Sequence, residues 1–487
     1  MRLPALLQGR RFLIYAFLIV AAACGIRFLL ADRYAGFVTD QSLFVQWMET
    51  IRRYGLGEAY PRNGSINYPP LFPLLLDLYG EALNRLGIAV QAGSLSFKGV
   101  LLAIDLAAML AAVKLTAGAG GARWRLIVLA LFALNPAFIA DSAVWGQVDL
   151  LHSMLMVLAV VAMPRRPWLS GLWAGFALLA KFQAVTVLPV VGTYLLVRLV
   201  RGRSFREAAG WLIGFAAPLG VAAAYFARAG SLSAMFRQAY ADAVGQYASA
   251  TVNAANVWFH LLGVDPSASD SEPYWAGLTL RTIGLLLFGA VTAFVCLYIW
   301  IALKDPEKER APEAVLLKAA AAIGFAFFML PTEIHERYGI PAIAFALFAA
   351  LYDRRWIAAA GTLTVTMLVN VLAVLRSGRR GFGRGGRNGG GFRPGGGRGW
   401  SGGSVPDAGM SEGGTRHPDR GFAGRGDGGL GGFPFGGGPG TTLSSGYVWV
   451  AAVNALLLIW LLWALWREMS AVRATVRESV QDAPAAH

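Results

Sequence analysis

A few short stretches of this otherwise apolar chain carry the groups able to move a proton or hold an anion. Asp40 heads an amphipathic run in which Leu43, Phe44, Trp47, Met48 and Ile51 recur at helical spacing. Its carboxylate can accept a proton as a general base, and an acidic residue at a helix start can equally be an N-cap. Tyr68-Pro69-Pro70 comes next. The two prolines fix φ and push their predecessors towards extended geometry, so a rigid bend precedes the apolar run from Leu71 to Leu78. Further on, Trp145-Gly146-Gln147, Lys181-Phe182-Gln183 and His335-Glu336-Arg337 set amide, ammonium, imidazole and guanidinium groups beside aromatic residues. Arginine offers a planar fork of donors to an anion, and histidine can donate or shuttle a proton. Each stretch also has an ordinary reading. Trp145 can be an interfacial anchor, Lys181 a lysine snorkelling to headgroups, and His335-Glu336-Arg337 a salt-bridge cluster at the membrane edge.

The elements that position these residues are membrane helices. Of 487 residues 56% are hydrophobic and only 15% charged, too few charges to cover a soluble domain of this size. The chain reads as an all-α polytopic membrane protein. Apolar runs of about 20 residues, the length that crosses a bilayer, fall near 12–31, 97–116, 124–140, 147–163, 167–180, 182–200, 207–228, 276–302, 314–331, 338–352, 356–375 and 447–466. Several are short, which predicts tilted or partial helices. The first is too long for a signal-peptide core and is expected to remain as an anchor. The segment 70–87 carries Asp77, Glu81, Asn84 and Arg85 on one side and reads as an interfacial helix. Cys24 and Cys296 both fall inside apolar runs, so no disulfide framework is expected.

Lys and Arg collect in alternate short loops, which the positive-inside rule assigns to the cytoplasm; the net charge of +15 therefore implies no nucleic-acid partner. The opposite face then receives 32–96, 141–146, 229–275, 332–337 and 376–446, and with them most of the unusual polar residues. The tract 376–446 is dominated by Gly and Arg and has almost nothing to bury, so disorder is expected there, in an inert insertion or a loop drawn to anionic headgroups or polysaccharide. The resulting organisation is a catalytic membrane domain over 1–375 with a first outer loop at 32–96, the tract 376–446, a final helix at 447–466 and a cytoplasmic tail at 467–487. Within the second apolar run, Asp105 and Lys114 are polar groups in lipid and so candidates for function; nine residues apart, they lie on different faces. His152 reads as a hydrogen-bonded core histidine.

In their order and topological depth, Asp40, Tyr68-Pro69-Pro70, Trp145/Gln147, Lys181/Gln183 and His335-Glu336-Arg337 resemble the pattern of GT-C glycosyltransferases that use polyprenyl-phosphate sugars. The nearest kin look like the bacterial relatives of GPI mannosyltransferases and the glucosyltransferases of the N-glycan pathway. The resemblance covers roughly residues 12–375. It implies an integral enzyme of a bacterial cytoplasmic membrane that moves a mannose-like hexose from a polyprenyl-phosphate donor to a lipid or glycan acceptor on the extracytoplasmic side. Asp40 would be the base; His335, Arg337 and Lys181 would hold the donor phosphate; Tyr68, Trp145, Gln147, Gln183 and Glu336 would line the substrate.

The chain departs from that pattern in two places. Asn67 stands where eukaryotic kin carry Asp before Tyr-Pro-Pro, which removes a second acidic partner, and the Gly-Arg tract has no counterpart. There is no Asp-x-Asp nucleotide clamp. That fits a lipid monophosphate leaving group, which basic side chains stabilise without a metal or other cofactor. Two alternatives remain open on sequence alone: a protein O-mannosyltransferase-like enzyme on the same scaffold, and a membrane transporter, which would show broken helices in matching halves.

Overall fold

A computed structural model describes residues 5–117, 121–202, 205–304, 311–384 and 447–481. The chain opens with α1 (Ala5–Arg33) and then lays down three helices before it next turns into the bundle: α2 (Val38–Tyr54), α3 (Leu56–Arg62) and α4 (Leu71–Arg85). The bundle follows with α5 (Leu95–Ala117), α6 (Ala122–Ala133), α7 (Pro136–Ile139) and a π-helical turn over Ala140–Trp145. Next come α8 (Asp149–Ala162), α9 (Pro167–Ala180), a 3-10 turn over Phe182–Val187, α10 (Leu188–Val200) and α11 (Phe205–Arg228). After α12 (Leu232–Phe236), α13 (Val257–His260) and a small antiparallel hairpin of β1 (Pro273–Trp275) and β2 (Leu278–Thr279), the remaining helices are α14 (Leu280–Leu303), α15 (Pro312–Met329), α16 (Ile340–Ala349), α17 (Trp356–Arg384) and α18 (Val448–Gln481).

The fold is that of an all-α polytopic membrane protein. Nine stretches among the described residues are long and apolar enough to cross a bilayer, and three further apolar helices, α8, α9 and α16, are shorter. Together they account for the apolar runs expected from sequence, with differences at the ends. The run predicted to begin at 276 starts at Leu280, because Pro273–Thr279 is taken up by the hairpin. The final helix does not stop at 466 but continues to Gln481, since Arg467–Ser479 is a polar stretch of good helix formers. The tract 376–446, expected to be disordered, is helical over its first part, because α17 runs on to Arg384; the rest, 385–446, lies outside the described residues. Cys24 and Cys296 are free thiols.

Helix α4 carries the polar side expected of an interfacial element. Its 15 residues would span only about 22 Å. It buries Phe72 and Leu76 while leaving Glu81 and Arg85 in an exposed i,i+4 ion pair. Phe72 meets Phe44 of α2 edge-on at 5.2 Å, and Trp47 and Tyr68 join the same cluster, which ties α2, α3 and α4 to α5 and to the end of α11. Helices α15 and α16 are almost entirely buried and occupy the centre of the bundle, with Glu313 and Lys318 of α15 taken up in ion pairs.

The three short helices place the candidate site residues. A 14-residue helix such as α8 or α9 reaches only about 21 Å, less than the roughly 30 Å of a hydrocarbon core. Irregular backbone makes up the difference: 146–148 before α8, the 3-10 turn after α9, and 330–339 before α16. Such backbone is tolerated at membrane depth only inside protein or along a cavity. Asp149, Lys181 and Arg337 stand at these breaks. At the opposite end of the bundle the basic loops are tied to one another by Trp124 to the Ala350 carbonyl (2.9 Å), Arg165 to Glu313 (3.3 Å) and Lys318 to Asp353 (3.0 Å).

Candidate active site

Asp40 sits in the first turn of α2, but it does not cap the helix. The N-cap position is Phe37, with no side-chain capping bond, so the capping alternative fails. Its carboxylate reaches across the fold instead. Oδ2 accepts hydrogen bonds from Trp145 Nε1 (3.0 Å) and Gln147 Nε2 (2.5 Å), and Arg337 Nη2 lies 3.9 Å away. All three partners engage one oxygen. The π-helical turn makes this possible: it ends at Gly146 in the left-handed region, which turns Trp145 and Gln147 together towards α2. Trp145 is 2% exposed and therefore no interfacial anchor. Its ring carries the Arg337 guanidinium at 5.3 Å.

Lys181 does not snorkel. It is 5% exposed, and extended backbone at the end of α9 aims it inward. Its ammonium binds Asp149 Oδ1 and lies between the rings of Tyr68 (5.3 Å) and Tyr338 (5.1 Å). Asp149 is the residue that sequence reasoning passed over. It is fully buried at the head of α8 and serves as counter-ion to two cations, Lys181 and, at 3.4 Å, Arg337 Nε. That second interaction is an ion pair without hydrogen-bond geometry, which leaves Arg337 Nε and Asp149 Oδ2 buried and open to a further partner. Nothing local marked Asp149, because an acidic residue at a helix start is commonplace.

The His335-Glu336-Arg337 stretch divides its work. Glu336 is buried against Arg337 Nη1, and burial raises its carboxyl while the guanidinium opposes that shift. His335 packs edge-on against Tyr247 at 4.7 Å and beside Tyr338 at 5.1 Å. Burial, with Arg337 and Lys181 close by, holds its imidazole well below the usual value, so it is neutral at pH 7. Burial also pushes the Tyr247 hydroxyl up to about 12. The backbone of His335 bridges to Val252 and Asn253, and the residues on either side of that junction, Asn253 (φ 63°) and Glu333 (φ 62°), are held in the left-handed region. Strain of this kind persists where the surroundings impose it. Glu333 is committed structurally: its carboxylate accepts the Gly245 and Tyr247 amides and pairs with Arg281 at 2.9 Å.

Lys181, Gln183, His335, Arg337, Tyr68 and Tyr247 line one pocket, whose far wall is apolar and includes Leu285 and Phe327. Asp40, Trp145, Gln147 and Glu336 are not among its lining residues, so Glu336, expected to line the substrate, instead backs Arg337. Tyr68 and Arg337 belong to both sets, since the Tyr68 hydroxyl donates to Gln147 Oε1 at 3.3 Å. The sequence motifs therefore meet in one place, as a pocket of cations and a carboxylate beside it. Other polar groups do not join. Asp105 is paired with Arg27 at 2.6 Å and with the Ser142 hydroxyl, a buried structural link, and Lys114 is exposed. His152 is buried 4.0 Å from Asp149.

No curated protein matches the chain. Residues 66–331, more than half of its length, match Glycosyltransferase family 87, a family of GT-C-like membrane glycosyltransferases. The matched stretch includes Tyr68, Trp145, Gln147, Asp149, Lys181 and Gln183; Asp40 precedes it and His335 follows it. With its polytopic helical fold, this chain belongs to glycosyltransferase family 87 and is a membrane glycosyltransferase.

Proposed function

We propose that the protein transfers a hexose, mannose-like in the first instance, from a polyprenyl-phosphate donor to a hydroxyl of a lipid or glycan acceptor on the extracytoplasmic face of a bacterial cytoplasmic membrane. Family membership favours transfer over transport. The observation that carries the mechanism is the one-sided capture of Asp40. Trp145, Gln147 and Arg337 all engage Oδ2, so Oδ1 is left to accept a proton. The acceptor oxygen attacks the anomeric carbon as Oδ1 takes its proton, and the bond from that carbon to the phosphate oxygen breaks. The polyprenyl phosphate leaves with the bonding pair.

Positive charge that is already oriented stabilises such a leaving group without reorganisation during the step. Lys181 and Arg337 supply it, fixed by Asp149 and by the rings of Tyr68, Tyr338 and Trp145. Arg337 Nε, which has no hydrogen-bond partner, is a donor for a phosphate oxygen. Neutral His335 and Tyr247 add hydrogen-bonding groups, Gln183 borders the sugar, and Glu336 holds Arg337 from behind the pocket. The apolar wall at Leu285 and Phe327 suits the first units of a prenyl chain. The donor enters from this pocket, and the acceptor reaches Asp40 from the side of α2.

The test is turnover by purified protein in lipid nanodiscs with radiolabelled mannosyl, glucosyl, galactosyl and arabinofuranosyl polyprenyl phosphates and a membrane-lipid extract. One of these should yield a labelled glycolipid or glycan. Label transferred instead to secreted protein, or turnover only with nucleotide sugars, would overturn the proposal.

A further inference from the structure

Lys98, in the first turn of α5, is completely buried, yet among the described residues it pairs with no carboxylate. Its ammonium donates to four backbone carbonyls: Ala31 (3.3 Å), Tyr34, Ala143 (3.0 Å) and Val144 (3.4 Å). Two of these lie at the end of α1 and two at the end of the π-helical turn. Helix ends leave such carbonyls without helical partners and carry partial negative charge, so a cation placed between two of them fastens both. A polar side chain buried in a membrane helix is expensive and calls for a functional explanation.

Gln41 closes the same junction from the other side. Its Nε2 donates to the Ala35 and Trp145 carbonyls (2.8 and 2.7 Å), and its Oε1 accepts the Gly93 amide (2.7 Å). The Phe37 amide also binds the Trp145 carbonyl at 3.1 Å. The two backbones touch so closely that a Cβ at Gly36 (φ +81°) would fall 2.0 Å from the Val144 oxygen, and one at Gly146 (φ +98°) 2.6 Å from Gln41 Nε2. One backbone carries Asp40 just beyond the junction, and the other carries Trp145 within it and Gln147 just after it.

We propose that Lys98 and Gln41 are positioning residues for sugar transfer, which lock the segment 34–37 to the segment 143–146 and thereby hold Trp145 and Gln147 against one oxygen of Asp40. Neither side chain lines the pocket, so they act on the orientation of the base and not on donor capture. The inference rests on the reading of Asp40 as base, and the experiment separates the two.

The test is a double-mutant cycle on kcat with Lys98→Met, which keeps the chain length and removes the cation, and Trp145→Phe, which removes the hydrogen bond to Asp40. Lys98→Met should lower kcat about 100-fold, the scale of a misplaced catalytic group, with donor KM unchanged within about twofold. Trp145→Phe should lower it about tenfold, as for loss of a hydrogen bond to a charged group. The double variant should be no slower than Lys98→Met alone, because both substitutions break the same hydrogen bond between Trp145 and Asp40. Multiplying effects, or near-normal kcat in folded Lys98→Met, would overturn the inference. Should Lys98→Met not fold, Gln41→Glu sets a carboxylate against the Trp145 carbonyl and must give the same fall in kcat and the same non-additivity. Asp40→Asn is measured alongside. If it remains active, the base assignment fails whatever the cycle shows; if it is inactive and the cycle is additive, only the positioning role fails.

Discussion

Asp149→Asn removes one charge and almost no volume from the buried centre of the site. Arg337 Nε stands 3.4 Å from the carboxylate, a gross attraction of about 5 kcal/mol at an effective dielectric of 20. Lys181 is a second partner on the other oxygen. Desolvation offsets much of that attraction in the intact pair, but removal of one partner strands the other charges. Lys181 and Arg337 are 5% and 8% exposed and cannot turn to water. The expected loss is therefore about 3–5 kcal/mol, the range for breaking a buried pair. Unfolding in a fixed detergent, followed by SDS titration, measures it. Adding Lys181→Gln should restore most of the stability, because a neutral hydrogen-bonded pair replaces the stranded ammonium, while transfer stays abolished for want of the cation. A single Asp149→Asn variant within about 1 kcal/mol of wild type would refute the counter-ion role.

Arg337→Lys keeps the charge but loses the planar fork that meets Glu336, Asp149 and Asp40 together; it should raise donor KM and lower kcat, each by at least about tenfold, and steady-state kinetics with a donor that supports turnover reads both. Once Cys24 and Cys296 are replaced, cysteine at the exposed Gln46 should react with an impermeant thiol reagent in intact cells, while cysteine at Arg165 should react only after lysis; the reverse pattern would invert the placement of the active face. At the basic end of the bundle, burial would raise the Asp353 carboxyl, but hydrogen bonds from Arg355 and Lys318 outweigh it and hold the group well below its usual value. The stability this gives is present above the unfolded carboxylate pKa of about 4 and is lost as pH falls below it, so Asp353→Asn should flatten the acid side of a stability-versus-pH curve and leave the neutral side lower throughout.

The motifs that converge on the site were legible because each combined an unusual residue with a helix boundary: Asp40 before an amphipathic run, Lys181 between two apolar runs, Arg337 just before another. Helix α4 was legible for the same reason, from its prolines and polar side. What escaped was pairing at a distance. Asp149 looked like any acidic helix start until Lys181, 32 residues on, came to rest on it. Asp105, a functional candidate as a lone acid in lipid, is satisfied by Arg27 from a helix 78 residues earlier. Nothing local in the sequence places Lys98 between two helix ends, since its carbonyl partners come from 31–34 and 143–144. The shortness of α8, α9 and α16 was legible in their apolar runs, 167–180 above all, but nothing local showed that the irregular backbone at their ends would meet in one place.

Asp40→Asn, assayed for single-turnover transfer with saturating donor and acceptor, bears on the base itself. Asparagine keeps an oxygen for Trp145 Nε1 and Gln147 Nε2, so the local hydrogen bonds and the folded yield should persist. It cannot take the acceptor proton at neutral pH. Turnover should fall at least ~100-fold, the scale of general-base loss, with donor affinity little changed. A well-folded Asp40→Asn enzyme turning over within a few-fold of wild type would contradict the assignment and point to Asp141, whose buried carboxylate has no hydrogen-bond partner, as the proton acceptor instead.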